Sequence, residues 1–554
     1  MVEGGLLLLA LALGVALAVS LLARARSTRT AVDFQLAGQQ VGVATNAFAI
    51  CGDYVSAASF LGVGAAVYAV GLDGAWYATG FAAGFVPVLL FVAAPLRRFG
   101  ERSIPDFLAR RFESEAVRIV SVVAVQLVIL AYLVPQSVGG GLAWELYTDA
   151  TIPGLTPYTT GIVASNIITA VIVVVGGMRG TTWNQALQFA VLMGVLLWIA
   201  ISLLRTGFSY NEAVQAVNEA PLTSVVETER GPAAIATTNL ITGEPARFAD
   251  PGARYTLVGQ FALLSTLVFG TMGLPHVMNR FFTSPTGRAA RMTTVWVLGL
   301  VGLFYTLAVM AGTAARSIIA EEAATDPWVA NLTVDGVLKT PEHVLLALGR
   351  IFGGDAGLSV VLTGALVAIM STVGGLLLAA SASMGHDVYE QYVNPNATRM
   401  QAMRAGQLAV MVMATGSAAI AVALDPSRIS SSVPSIVASL VTAAFAVAGC
   451  TLAPAIMLAI WWPRTTATGV VAGMVVGMVS SVSLIAVGLI YSESLSILQT
   501  PTLVVGPAVT AVMVVTSLRT EPVQNVEQFW VIMHGAARDR QAERLTRATL
   551  KATR

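Results

Sequence analysis

Apolar stretches of about 20 residues recur from one end of this chain to the other, parted by short polar segments. Each is long enough for a membrane-spanning helix. They fall near residues 4–23, 44–69, 74–95, 119–143, 158–177, 182–204, 257–275, 292–314, 357–384, 405–424, 430–461, 466–491 and 500–518. The pattern predicts an all-α integral membrane protein with about 13 transmembrane helices. The alternating short segments of a transmembrane β-barrel are absent. Within 430–461, Gly449 and Pro454 predict a kink rather than two spans.

Composition agrees with this pattern: 56% of the 554 residues are hydrophobic and 11% charged, far below the quarter usual in soluble domains. A net charge of +1 without a basic patch offers nothing to nucleic acid. Cys51 and Cys450 both fall in apolar runs and read as buried thiols rather than a disulfide. His276, His343, His386 and His534 lack metal-ligand spacing, so no zinc-type metal site is expected. The first apolar run has no basic segment before it and no clear cleavage site after it. It reads as a retained helix over 1–30, with the N-terminus outside.

That orientation puts 23 of the 31 Lys and Arg on the cytoplasmic side, as the positive-inside rule favours. It places the C-terminal tail, 519–554, in the cytoplasm. Two long segments, about 205–256 and 315–356, fall outside and read as covers over an outer vestibule or as simple linkers. The end of the tail, RDRQAERLTRATLKATR, reads as a solvated helix near anionic headgroups.

One stretch breaks the apolar pattern from within. ICGDYVSAASF, residues 50–60, puts Asp53 about 14 Å into the second span. It is the only acidic residue inside the expected spans, and no Lys or Arg accompanies it there. An ionisable group at that depth costs several kcal/mol unless paired, which makes it a functional candidate. The alternative is an aspartate that only caps freed backbone N–H groups. Gly, Asp and Ser are poor helix-interior residues, so a break is expected. It would offer carbonyls to a small cation and N–H groups to a carboxylate.

Three further clusters stand out. Ser371 and Thr372 form a pair of hydroxyls suited to a small ion, unless they bond back to the preceding helical turn. In YLVPQSVGGG, Gln136 beside Pro135 faces a cavity or joins neighbouring helices. In FGTMGLPHVMNRFF, Gly270, Thr271 and Gly273 weaken the helix, for a site or for close packing.

Taken in order, AICGDYVSAASFLGVGAAVY, GGMRGTTWNQALQ, GTMGLPHVMNRFF and the Ser-Thr pair upstream of GHDVY resemble the sodium:solute symporter family over about residues 33–465. They most resemble its acetate and monocarboxylate branch. The resemblance implies an inverted repeat of five plus five helices, over 44–204 and 257–461, with helices 466–518 peripheral and 205–256 an external loop. It implies a Na⁺ site made by the carbonyls of Gly52, Val55 and Ala368 and the hydroxyls of Ser371 and Thr372, with Asp53 as a coupling acid. For substrate it suggests a small chamber at Ser56, Ala57, Ser59, Phe60, Gln136 and Thr271. With no arginine in the expected spans, backbone N–H groups over Ser56–Ser59 are expected to face a carboxylate.

The expected activity is therefore symport of acetate or a related short monocarboxylate with Na⁺ across the plasma (inner) membrane, with no cofactor. Proton coupling through Asp53 is the nearest alternative, and a passive monocarboxylate channel a different class. An enzyme would need a nucleophile and base or metal ligands at depth, and the spans hold no histidine and no second carboxylate.

Overall fold

A computed structural model of the chain describes residues 2–25, 37–147, 151–228, 231–424, 435–491, 496–524 and 526–535. Helices dominate it. Among the described residues nine helical runs are long and apolar enough to cross a bilayer, or ten counting the bent pair Leu257–Gly273 and Pro275–Phe282 as one span. This is fewer than thirteen for a physical reason: some expected spans share one helical run. Pro157–Arg205 holds two of them, and at 1.5 Å per residue its 49 residues would reach about 74 Å, over twice the hydrocarbon thickness. Gly177 breaks the run with φ 56° and ψ −162°, a backbone conformation that a side chain would oppose. Likewise Ala58–Phe99 contains parts of two expected spans, parted by the turn Gly71–Gly74. The first helix runs Val2–Ala25.

Three breaks matter for the site. The first broken helix runs Val43–Tyr54, leaves helical geometry at Val55 (φ −74°, ψ 90°), and resumes through a wide turn, Ala58–Gly62, into Val63–Val70. The second bends by 41° at Leu274, between Leu257–Gly273 and Pro275–Phe282; Pro275 lacks the N–H that would continue the first segment. The third lies at Thr451 (φ −122°, ψ −75°), between Ile436–Cys450 and Leu452–Trp461. The kink expected at Gly449 and Pro454 thus falls between those two residues. The start of that expected span, 430–434, lies outside the described residues.

Small residues let these helices approach closely. A Cβ on Gly270 would overlap the side chain of Phe445, and one on Gly273 the carbonyl of Ala448. Close packing therefore accounts for both glycines of that motif. Cys51 and Cys450 are free, buried thiols.

The two long polar segments have structure of their own. Residues 205–256 carry the helix Tyr210–Asn218 and an antiparallel hairpin, Thr223–Thr228 with Gly231–Ala236. Leu222, Ala246 and Phe248 pack on Val67 and Val70 at the end of the first broken helix. Asp73, itself buried, accepts N–H bonds from Gly252 (3.1 Å), Arg254 (2.9 Å) and Tyr255 (3.3 Å) and so pins the segment just ahead of Leu257–Gly273. Part of the tail also packs on the protein: Phe529 of the helix Val526–His534 meets Phe99, and Arg98 donates to the Met533 carbonyl at 3.3 Å. The basic end of the tail lies outside the described residues.

Candidate functional site

The break after Tyr54 follows from the residues that precede it. Helix Val43–Tyr54 ends where Gly52, Asp53 and Ser56 weaken it, and Val55 turns its carbonyl out of the helical pattern. Gly52 lies against the long helix Val344–Ala382: an added Cβ would stand 3.1 Å from Ser371 Oγ and overlap the Gln185 carbonyl. Gly52→Ala is therefore expected to destabilise the protein by about 1–3 kcal/mol through overpacking. A thermal melt of the purified variant unchanged from wild type would refute this close contact.

Ser371 and Thr372 are buried, and neither hydroxyl makes a hydrogen bond among the described residues. Their neighbours behave differently. Thr169, Thr181 and Thr182 each bond back to the carbonyl four residues earlier at 2.7 Å. The back-bonding alternative thus fails at the two positions singled out for an ion. Unbonded hydroxyls in so dry a place cost free energy. Of the five positions expected at the ion site, Gly52 and Ser371 are in direct apposition, Val55 forms the break, and Ala368 and Thr372 lie within a turn of Ser371.

Asp53 is not alone. Its Oδ2 accepts from Arg280 Nε at 3.2 Å, with both side chains essentially inaccessible. No arginine lies within the expected spans, yet one from just beyond them reaches the helix break. Arg280 belongs to Pro275–Phe282, the bent continuation of Leu257–Gly273, which the hydropathy pattern assigns to a polar loop. Its Nη1 donates to Thr182 Oγ1 at 2.7 Å and its Nη2 to Gln185 Oε1. Gln185 Nε2 in turn donates to the carbonyl of Ser371 at 2.8 Å. One side chain therefore separates the guanidinium from the hydroxyl pair. Asn46 completes the tie between the two broken helices, its Nδ2 reaching the Arg280 carbonyl and Ser284 Oγ, both at 3.1 Å. Asp53 acts here as the counter-ion of a buried arginine rather than as a cap of backbone N–H groups.

The residues expected around a substrate divide into three groups. Gln136 Oε1 accepts the N–H of Ala57 at 3.0 Å, so Gln136 joins its helix to the break, while its Nε2 has no partner among the described residues. Ser56 offers its carbonyl to the N–H groups of Ser59 (3.0 Å) and Phe60 (2.9 Å). The N–H groups of Ala57 and Ser59 thus have partners inside the protein, contrary to the expectation that they face a carboxylate. Ser59 Oγ meets Tyr305 Oη at 2.7 Å, and Phe60 lies near Phe304. Thr271 Oγ1 meets Tyr54 Oη at 2.9 Å. Tyr54, Phe81, Tyr132, Tyr305 and Phe445 pack about one another around the break. Sequence reasoning missed Arg280, Gln185 and these aromatic residues, although Arg280 and Gln185 both stand in motifs it had singled out.

His386 has carboxylate neighbours that its spacing in the sequence does not reveal. His386 lies with Asp106 and Asp387 in a buried group whose ligand atoms are within 4.8 Å of one another. Arg118 Nη1 already bridges the two carboxylates, at 3.0 Å from Asp106 and 3.2 Å from Asp387. A guanidinium thus supplies the positive charge that a metal would. Ser103 donates to Asp387 at 2.7 Å. Nearby, burial and the neighbouring Asp106 push the Glu101 carboxyl up to about 7. This cluster ties the helix Ile104–Phe112 to the end of the long helix.

The chain is similar to several known proteins. The chain is 31% identical over 467 residues to a monocarboxylic acid transporter of Corynebacterium glutamicum, covering 83% of this chain and 79% of the relative. It is 30% identical over 465 residues to the uncharacterised symporter YwcA of Bacillus subtilis, covering 83% and 82%. Its fold matches that of a Na⁺-coupled sialic acid symporter solved in a substrate-bound, outward-open state, with a TM-score of 0.70, 16% identity, and 94% of this chain and 98% of the other covered. A manganese transporter of Eremococcus coleocola matches less closely, with a TM-score of 0.51, 12% identity, and 88% and 95% covered. The sodium:solute symporter family profile matches residues 34–477, which take in all three helix breaks, the hydroxyl pair and the Asp53–Arg280 pair. With the broken helices, unbonded hydroxyls and buried ion pair in place, that match over most of the chain places the protein in the sodium:solute symporter family.

Proposed function

We propose that this symporter imports acetate or a related short monocarboxylate together with Na⁺, across the plasma membrane, with its N-terminus outside and its C-terminus in the cytoplasm. The observation that carries the Na⁺ assignment is the pair of buried, unbonded hydroxyls on Ser371 and Thr372 beside the helix break. A small hard cation takes oxygen ligands, and two hydroxyls with the carbonyls of Gly52, Val55 and Ala368 form such a set. A proton would need no such ring of neutral oxygens. The carboxylate assignment draws on the relative named a monocarboxylic acid transporter and on the small side chains Ser56, Ala57 and Ser59 at the break.

In this reading 44–204 and 257–461 are the two repeats, each opened by a broken helix, and they rock against one another about the site. Na⁺ orders the break, the substrate completes the chamber near Gln136, Phe60 and Thr271, and the bundle opens inward. Each ligand binds better with the other present, a coupling worth about 1–3 kcal/mol.

The test is labelled-acetate uptake into proteoliposomes under an imposed Na⁺ or H⁺ gradient. Accumulation above equilibrium is expected with Na⁺ alone. Accumulation with H⁺ alone would overturn the Na⁺ assignment in favour of proton coupling. Flux that stops at equilibrium under both gradients would indicate a passive pore, and no flux of any short monocarboxylate would overturn the substrate assignment.

A further inference from the structure

A small cavity adjoins Arg280 on the side away from the hydroxyl pair. It is lined by Arg280, His276 and Asn279 of the bent helix, by Gly375 and Ala379 of the long helix, and by Arg102. The cavity is about 10 Å³, room for about one water molecule or for one oxygen of a carboxylate. His276 is 2% exposed, and neither ring nitrogen makes a hydrogen bond among the described residues. A buried imidazole without a partner is costly unless a ligand or water completes it. Arg280 has capacity to spare. Of five N–H donors, one each is given to Asp53, Thr182 and Gln185, and Nη1 also faces the Met178 sulfur at 3.2 Å.

We infer that Arg280 and His276 form an anion subsite that receives the substrate carboxylate between the helix break and the arginine-rich face of the protein, the Arg102 side proposed above as cytoplasmic. The inference rests on the monocarboxylate reading above and adds a place on the route. Charge explains why the subsite passes its ligand on. Asp53 cancels the charge of Arg280, so an arriving anion meets hydrogen-bond donors without a large net attraction, and it leaves again readily. Arg102, about a third exposed, 3.7 Å from Glu390 and 3.4 Å from His386 Nδ1, draws the anion outward. Gln185 joins the subsite to the ion site, since it bonds both Arg280 and the Ser371 carbonyl. Occupation of the subsite is thereby sensed one residue from the cation.

Two variants test this from opposite walls. His276→Leu removes a donor, and Ala379→Val fills the cavity without touching the Arg280 network. Acetate KM is measured separately from each face, by Na⁺-driven uptake and by efflux from vesicles of one orientation. KM from the arginine-rich face is expected to rise about 5-fold in each variant, as for one lost hydrogen bond, while KM from the opposite face stays within about 2-fold. Equal changes on both faces, or an unchanged KM at the arginine-rich face in a folded Ala379→Val protein, would overturn the subsite alone. Wild-type protein that moves no monocarboxylate from either face would overturn the functional reading and the subsite with it.

Discussion

Asp53→Asn is expected to cost about 3–5 kcal/mol of stability, as is Arg280→Met, because each leaves the other charge buried and uncompensated. The pair is almost wholly inaccessible, so water cannot take over the missing partner's role. The double variant Asp53→Asn/Arg280→Met removes both charges and is expected to cost much less than the sum of the singles, a coupling of at least about 2 kcal/mol. Thermal unfolding of the four purified proteins measures it. Singles that melt with wild type, or a strictly additive double, would show that the two charges do not depend on one another. The same set separates two roles for Asp53. A counter-ion is dispensable for folding once Arg280 is neutral, whereas a proton carrier remains needed for transport in any background. Recovery of Na⁺-driven uptake in the double variant would therefore exclude the proton role.

The second large effect concerns the hydroxyl pair. Ser371→Ala and Thr372→Val are each expected to raise the half-saturating Na⁺ concentration about 10-fold, the equivalent of about 1.4 kcal/mol per ligand. Apparent acetate affinity should fall at limiting Na⁺ and recover when Na⁺ is saturating, since the substrate feels the loss only through coupling. Thr181→Val supplies the comparison, because its hydroxyl is spent on the Gly177 carbonyl and its removal should leave Na⁺ activation near wild type. Na⁺ activation unchanged in the double Ser371→Ala/Thr372→Val protein would sink the ion assignment. These hydroxyls make no hydrogen bond among the described residues, so little of the fold is at stake, and a loss of function is cleanly read as loss of a ligand.

How far the residues alone reach differs from feature to feature. The break near Asp53 was legible because Gly, Asp and Ser interrupt an apolar run, and these residues are poorly tolerated in a helix interior. The kink between Gly449 and Pro454 was legible for a similar reason. Arg280 was not. Linear hydropathy places HVMNRFF outside the apolar span, since a histidine, an asparagine and an arginine crowd one short segment. Only the bend at Leu274 folds those residues back among the other helices, and only there does the arginine find Asp53, 227 positions away in sequence. The bonding of Gln136 to the Ala57 N–H was likewise out of reach, because a polar residue on an apolar helix has many candidate partners until the packing is known.

By itself, the sequence determined the membrane class, the apolar stretches that become helices, the places where two of them break and the oxygen-bearing residues from which the ion site is proposed. These properties are local: they follow from apolar length, from residues that helices tolerate poorly, and from short motifs. The tertiary structure decided which polar groups meet. It paired Asp53 with Arg280, linked both to Ser371 through Gln185, left the Ser371 and Thr372 hydroxyls unbonded, and set Arg118 between Asp106 and Asp387. In a dry interior a buried charge must have a partner, but its identity depends on how helices far apart in the chain are turned toward one another, which no local pattern encodes.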